Sequence, residues 1–135
     1  METAAGGSRL DLMGLLDAIR PDWKNSDADV RIAAAKELDD PEILTKMIVK
    51  DAEWFVRHNA FARLRALKPD AQWYRKVAEH SGDEEIRRKV VKVMSDESDL
   101  EWVAKNDKYR YVRDAAEHRL DELRKNLYGE KAAVS

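Results

Sequence analysis

The sequence predicts an all-α fold in which about four antiparallel helix pairs stack into a solenoid. Three observations carry this expectation. Apolar residues recur at spacings of three and four rather than two, and only five glycines and three prolines interrupt them, which is helical periodicity with no competing strand pattern. An aliphatic residue followed by arginine recurs at Val30-Arg31, Val56-Arg57, Ile86-Arg87 and Val112-Arg113, at spacings of 26, 30 and 26 residues. A shift of 56 residues lays Asp27 to Leu67 on Asp83 to Leu123 without a gap and makes twelve of the 41 positions identical. Chance gives about two or three for ordinary residue usage.

The identities include Asp27/Asp83, Arg31/Arg87, Asp40/Asp96, Leu44/Leu100, Asp51/Asp107, Val56/Val112, Arg57/Arg113, Ala60/Ala116, Leu64/Leu120 and Leu67/Leu123. They describe a double unit used twice, each half of it a pair of helices. A unit this short leaves its apolar stripe uncovered unless a neighbour buries it, which is the logic of a stacked repeat.

The elements follow in order. Leu10, Leu12, Leu15, Leu16 and Ile19 predict an amphipathic cap helix over 9–20, and Pro21-Asp22-Trp23 interrupts the register behind it. The arginine-bearing helices carry stripes at i, i+4 and i+8: Val30, Ala34, Leu38; Val56, Ala60, Leu64; Ile86, Val90, Met94; and Val112, Ala116, Leu120. Each set lies on one face of a helix. Between them stand shorter apolar helices marked by Leu44, Met47, Ile48, by Tyr74, Val77, Ala78, and by Leu100, Val103, Ala104.

Capping chemistry places the boundaries. Asp40 precedes Pro41, an N-cap oxygen ahead of a first-turn proline; Ser81 and Glu84 have capping-box spacing; Asp51 and Asp107 precede second helices. Connections this short make neighbouring helices antiparallel. The last helix is expected to end near Tyr128, which divides the chain into a disordered N-terminus (1–8), one helical domain (9–128) and a disordered tail (129–135).

The segment Asp27 to Leu38, read as Asp-x-x-Val-Arg-x-x-Ala-Ala-x-x-x-Leu, resembles the second helix of HEAT-like repeats, including the short type of phycobilisome-lyase-like proteins. The stretch from Pro41-Glu42-Ile43-Leu44 through Asp51 to Val56-Arg57 is similar to the leucine-rich variant repeat. The resemblance spans roughly 27–126 and implies a right-handed α-solenoid in which Arg31, Arg57, Arg87 and Arg113 form a structural ladder with the repeat aspartates. Such repeats serve scaffolds, adaptors, lyases and DNA glycosylases alike, so the fold leaves the function open.

Composition narrows the classes. No cysteine is present, which excludes disulfide frameworks, thiolate nucleophiles and zinc ribbons. With 25 Lys and Arg against 27 Asp and Glu the net charge is −2, so no global field draws in nucleic acid or anionic membrane. Neither a basic, hydrophobic leader nor a long apolar run occurs, and a soluble cytoplasmic protein is the expectation. Gly-x-Ser-x-Gly, phosphate-loop and dinucleotide motifs are missing, and His58, His80 and His118 lack the i, i+4 spacing that brings two imidazoles to one metal. No enzyme activity, cofactor or metal site is therefore expected. Asp114 and His118 stand one turn apart and are expected at most to make a solvated contact.

What remains is the surface lined by the second helices, the concave side in such stacks. There the candidate binding residues are Trp54, His58, Arg88, Lys89, Lys92 and Tyr111, all but Lys92 differing from their counterparts under the 56-residue shift. Two readings stay open. In one, Trp54 and Tyr111 anchor a partner segment while the basic run of Arg87, Arg88, Lys89 and Lys92 attracts an acidic peptide or a phosphate backbone. In the other, Trp54 and Tyr109 pack at helix starts and the basic run is a solvated face beside Asp83-Glu84-Glu85. The leading expectation is a non-enzymatic scaffold that binds a protein or peptide. A nucleic-acid binder and a lyase or maturation helper are the alternatives. Trp23, Trp73 and Trp102 lie off the stripes and are expected to fill gaps between units. Oligomeric state is not readable from the sequence.

Overall fold

The computed structural model describes residues 21–134, with side chains through 126. It is all-helical: among the described residues there are seven α-helices, one 3-10 turn at Asp22–Lys24 and no strand. The α-helices are α1 (Ala28–Glu37), α2 (Pro41–Lys50), α3 (Trp54–Ala66), α4 (Ala71–His80), α5 (Glu84–Val93), α6 (Glu97–Asn106) and α7 (Arg110–Val134). The expected cap helix over 9–20 lies outside the described residues. None of the described helices is long and apolar enough to cross a membrane.

Aspartate starts four of these helices with its side chain. Asp27 accepts from the Asp29 amide at 2.9 Å, Asp40 from Glu42 at 2.9 Å, Asp83 from Glu85 at 3.0 Å and Asp96 from Asp99 at 3.0 Å. Each carboxylate satisfies an amide that has no partner inside its own helix. Pro41 occupies the first turn of α2, where its missing N–H costs nothing. Ser81 is not the cap of α5, as its spacing to Glu84 suggests. It closes α4 and accepts from the Asp83 amide at 3.1 Å, which leaves Asp83 as the N-cap.

Five helices are ten residues long, but α3 has thirteen. The three extra residues, with a four-residue connection (67–70) in place of the three-residue ones at 38–40 and 94–96, produce the single spacing of 30 among spacings of 26. At the end of α3, Lys68 adopts φ 51°, the left-handed conformation that terminates many helices, and Pro69 follows it. The final helix continues past Tyr128 to Val134. Gly129 disfavours a helix interior by only about 1 kcal/mol relative to alanine, and the strong helix formers Glu130 to Ala133 follow it.

The core is formed by the predicted stripes. Val56, Ala60, Leu64, Ile86, Val90, Val112 and Ala116 are fully buried, with Met94 and Leu120 nearly so. The stripe of α1 differs: Val30, Ala34 and Leu38 are half-buried, and the helix commits Ala35 to the core instead. Leu44, Ile48, Val77 and Leu100 from α2, α4 and α6 complete the cluster. Burial of each large side chain stabilises by about 1.5–3 kcal/mol. The buried Thr45 hydroxyl donates to the Pro41 carbonyl at 2.7 Å, so its burial leaves no orphaned donor.

Helix α2 packs on α3 and α6 on α7, while α1 lies along α3 and α5 along α7. Backbone contact between α3 and α5 is sparse by comparison. That seam coincides with the join between the two sequence copies, and side chains bridge it.

Candidate functional site

The four repeat arginines share one bond. In each, Nη1 donates to the backbone carbonyl six residues earlier: Arg31 to Asn25 at 2.8 Å, Arg57 to Asp51 at 3.0 Å, Arg87 to Ser81 at 3.0 Å and Arg113 to Asp107 at 2.7 Å. The rest of the guanidinium reaches into the following unit. Arg31 forks onto Asp51 at 2.9 and 3.1 Å, and Arg87 onto Asp107 at 2.8 and 3.3 Å. A planar donor fork of this kind suits a carboxylate and a carbonyl together. Bonding to Asp51 is the leading reason that the Arg31 guanidinium is held above its ordinary value, against the opposing effect of burial.

Arg57 departs from this alternation. Ser81 stands where Asp51 and Asp107 stand in their units, so Arg57 reaches two residues further to Asp83, at 3.3 and 3.1 Å. Asp83 thereby caps α5, binds Arg57 and faces His58 Nε2 at 3.4 Å. Burial pushes its carboxyl upward, but the Arg57 bond, the Ile86 amide, the facing His58 ring and the Arg57 charge outweigh it and leave the group below its ordinary value of 3.8. Arg113 has no carboxylate partner among the described residues.

Three of the sequence-selected residues meet at this seam. Trp54 opens α3 and is 64% exposed, with its ring edge-on to those of Phe55 at 5.7 Å and His58 at 5.8 Å. Lys89, from α5, places Nζ 2.9 Å from His58 Nδ1. An ammonium only donates, so Nδ1 accepts and the imidazole is neutral with its proton on Nε2, directed at Asp83. The relay Lys89–His58–Asp83–Arg57 ties α3 to α5 where their backbones make few contacts. Lys92 lies one turn beyond Lys89 and is exposed, and Arg88 stands 3.9 Å from Glu85.

Tyr111 is positioned separately. It is 43% exposed, pairs with the Tyr109 ring at 5.7 Å, and has its phenol pushed up by desolvation and then by the charges of Glu84 and Glu85. Tyr111 therefore belongs to the acidic start of α5, whereas Lys89 and Lys92 belong to its basic end. Trp54, Tyr109 and Tyr111 are the exposed large apolar side chains among the described residues.

Other side chains behave as the sequence suggests or differ in a definable way. Trp23, Trp73 and Trp102 pack on the core edge, each under a cation: Lys24 at 4.9 Å, Lys76 at 4.7 Å and Arg75 at 4.3 Å. Asp114 and His118 do not pair; Asp114 faces Arg110 at 3.7 Å and His118 faces Glu122 at 3.9 Å. Among the described residues no group of three or more His, Cys, Asp or Glu side chains is arranged to hold a metal ion.

Two features escaped the sequence reading. Arg63 Nε donates to the Leu38 carbonyl at 2.7 Å and Arg119 Nε to the Met94 carbonyl at 2.8 Å, each closing the end of a neighbouring helix. Their signal was present, since both positions hold arginine under the 56-residue shift. The second feature is a repeated pocket. One copy, about 320 Å³, is lined by Trp23, Arg31, Lys46 and Asp51; the other, about 280 Å³, by the residues 56 positions on, Glu79, Arg87, Trp102 and Asp107. The ion pair persists in both, while the indole moves from the first of these positions to the third, so the two copies present different chemistry on one frame. Comparison with protein-family models, with curated proteins and with solved structures returns no match to this chain.

Proposed function

We propose that this protein is a non-enzymatic interaction module, a right-handed α-solenoid of about four antiparallel helix pairs of the HEAT-like type, which binds a segment of a partner protein. The second helices α1, α3, α5 and α7 form its concave side. The arginine ladder supports the solenoid reading, because all four arginines bond the carbonyl six residues earlier and Arg31, Arg57 and Arg87 also bond a carboxylate 20 to 26 residues on. A scaffold held this way leaves its repeat-breaking residues available for recognition.

The observation that carries the functional reading is the exposed Trp54 standing edge-on to His58, which Lys89 in turn holds. An indole rigidified on one side and open on the other is the kind of anchor that dominates binding energy in protein interfaces. Arg88, Lys89 and Lys92 supply a cationic flank and Tyr111 a second aromatic anchor beside Glu84 and Glu85. The partner segment thus crosses from a basic to an acidic stretch of α5. The net charge of −2 favours a protein over a nucleic acid.

The test is a comparison of the proteins retained by the wild type, by Trp54→Ala and by the triple variant Arg88→Glu, Lys89→Glu, Lys92→Glu, with circular dichroism on all three. A defined partner lost from both variants, with helicity unchanged, supports the reading. Undiminished retention by both variants removes this face from it, and tighter, salt-sensitive capture of an oligonucleotide replaces it with nucleic-acid binding.

A further inference from the structure

A second surface lies on the other helices of the pairs. Lys46 and Lys50 are one turn apart on α2, Lys76 and His80 are one turn apart on α4, and these two helices pack together. Between them runs a groove of about 360 Å³ lined by Thr45, Lys46, Val49, Lys50, Lys76 and His80. Among the described residues no carboxylate lines it. Lys46 and Lys50 make no ion pair with any described residue, and the nearby Glu79 carboxylate is held by Arg75. Lys76 is steadied over the Trp73 ring, which keeps its ammonium at the rim.

Three ammonium groups around an apolar floor form an unsatisfied charge pattern, while the fourth basic group, the His80 imidazole, faces Glu79 at 3.5 Å. In a chain carrying more acidic than basic residues overall, like charges gathered on one groove repel one another unless a counter-charge arrives. We infer that this groove binds an acidic peptide segment of a partner, with an apolar side chain seated on Thr45 and Val49 and carboxylates on either side paired with Lys46, Lys50 and Lys76. The spacing fits: side chains one turn apart on a helix are about 5–6 Å from each other, close to the roughly 6.6 Å between alternate residues of an extended peptide. Lysine stems lie along apolar surface while their heads reach for the carboxylates.

The groove favours a peptide over nucleic acid on its lining. Among the described residues its lining holds no Trp, Tyr or Phe ring for a base to stack on, only the His80 imidazole, and no arginine to fork a phosphate. Its floor rewards an apolar side chain, which a phosphate backbone does not bring. The site is separate from the Trp54 face and does not depend on the proposal made for it.

The test uses the full chain and a fluorescent octapeptide of glutamate and leucine only, titrated by anisotropy beside its glutamine counterpart, a single-stranded octanucleotide and phosphatidylserine vesicles. The expected result is saturable binding of the glutamate peptide that weakens as salt rises. Lys46→Glu with Lys50→Glu is expected to weaken it at least about 10-fold and Lys76→Glu about 3-fold, while Lys36→Glu with Lys105→Glu, exposed lysines outside both faces, changes it less than about 2-fold. All of these positions are exposed, so thermal melts are expected to coincide. Equal affinity for the glutamine peptide, indifference to the Lys46/Lys50 reversal, or absence of saturable binding overturns the inference. Tighter binding of the octanucleotide or of vesicles, lost in the same double variant, also overturns it and reassigns the groove.

Discussion

The Arg87 guanidinium and the Asp107 carboxylate are held against each other in the interior, with Nε–Oδ2 at 2.8 Å and with both side chains 94% or more buried. The same guanidinium bonds the Ser81 carbonyl at 3.0 Å and lies 5.5 Å from the Tyr109 ring. This pair is the most enclosed rung of the arginine series; Arg57 and Asp83 are 20% and 14% exposed. Removing one member of a buried pair strands the other charge, at a cost of about 3–5 kcal/mol. Arg87→Ala is therefore expected to destabilise by about that amount and Arg57→Ala by less, as measured by urea unfolding. Equal losses, or a loss below about 1 kcal/mol for Arg87→Ala, would show that the rungs do not bear on stability in proportion to their burial.

Asp83 predicts an acid limb of stability. Its folded value lies below the unfolded one of 3.8 because Arg57, the Ile86 amide and His58 favour the carboxylate more than burial disfavours it. A depressed carboxyl contributes stability that is complete above the unfolded value and is lost as pH falls through the folded value. Asp83→Asn is thus expected to lower the urea midpoint at neutral pH and to narrow the gap to wild type below pH 3.8. A gap that does not change with pH would mean that the carboxylate charge is not what Asp83 contributes.

The carbonyl-closing arginines offer a prediction that the sequence reading had missed. Arg63 and Arg119 each supply a charged donor to the last carbonyls of α1 and α5, a bond worth about 1.5–3 kcal/mol. Alanine at either position is expected to cost in that range, although the second partners differ: Arg63 also pairs with Asp39, where the second copy has Ser95, and Arg119 faces Glu122. A cost below about 1 kcal/mol at both positions in urea unfolding would show that the carbonyl bonds do not bear on stability.

Lys68 presents the opposite case, a substitution that stabilises. Its φ of 51° places a side chain in the left-handed region, where Cβ crowds the following carbonyl at a cost of about 1 kcal/mol. Lys68→Gly is expected to raise stability by about 0.5–1 kcal/mol, seen as a higher urea midpoint. A lower midpoint would mean that the chain-entropy loss at glycine exceeds the relief.

Much of the helical content was legible because it rests on periodicity and capping. The stripes Val56-Ala60-Leu64, Ile86-Val90-Met94 and Val112-Ala116-Leu120 are buried because i, i+4, i+8 spacing leaves a helix one face to bury. The Asp40 cap follows equally directly from an acidic oxygen before proline. Ser81 misled because Asp83, two residues on, offers the same chemistry in better register, and capping spacing alone does not choose between them. The meeting of Trp54, His58 and Lys89 was only partly legible. Their positions beside the stripe were readable, but the sparse α3–α5 contact that makes them bridge a seam depends on packing across the join. The separation of Tyr111 from the basic run, and the lysine groove between α2 and α4, arise between helices distant in sequence and leave no local signature.

The central claim is that residues kept by the repeat hold the fold while residues that break it bind the partner. It is tested most directly by measuring stability and partner affinity side by side for Arg31→Ala, which breaks the Arg31–Asp51 rung, and for Trp54→Ala, which removes an exposed indole that the repeat does not keep. The expected result is a lowered urea midpoint with retained affinity for Arg31→Ala, and an unchanged midpoint with affinity reduced at least about 10-fold for Trp54→Ala. Lost affinity in a fully stable Arg31→Ala, or full affinity in Trp54→Ala, would contradict it.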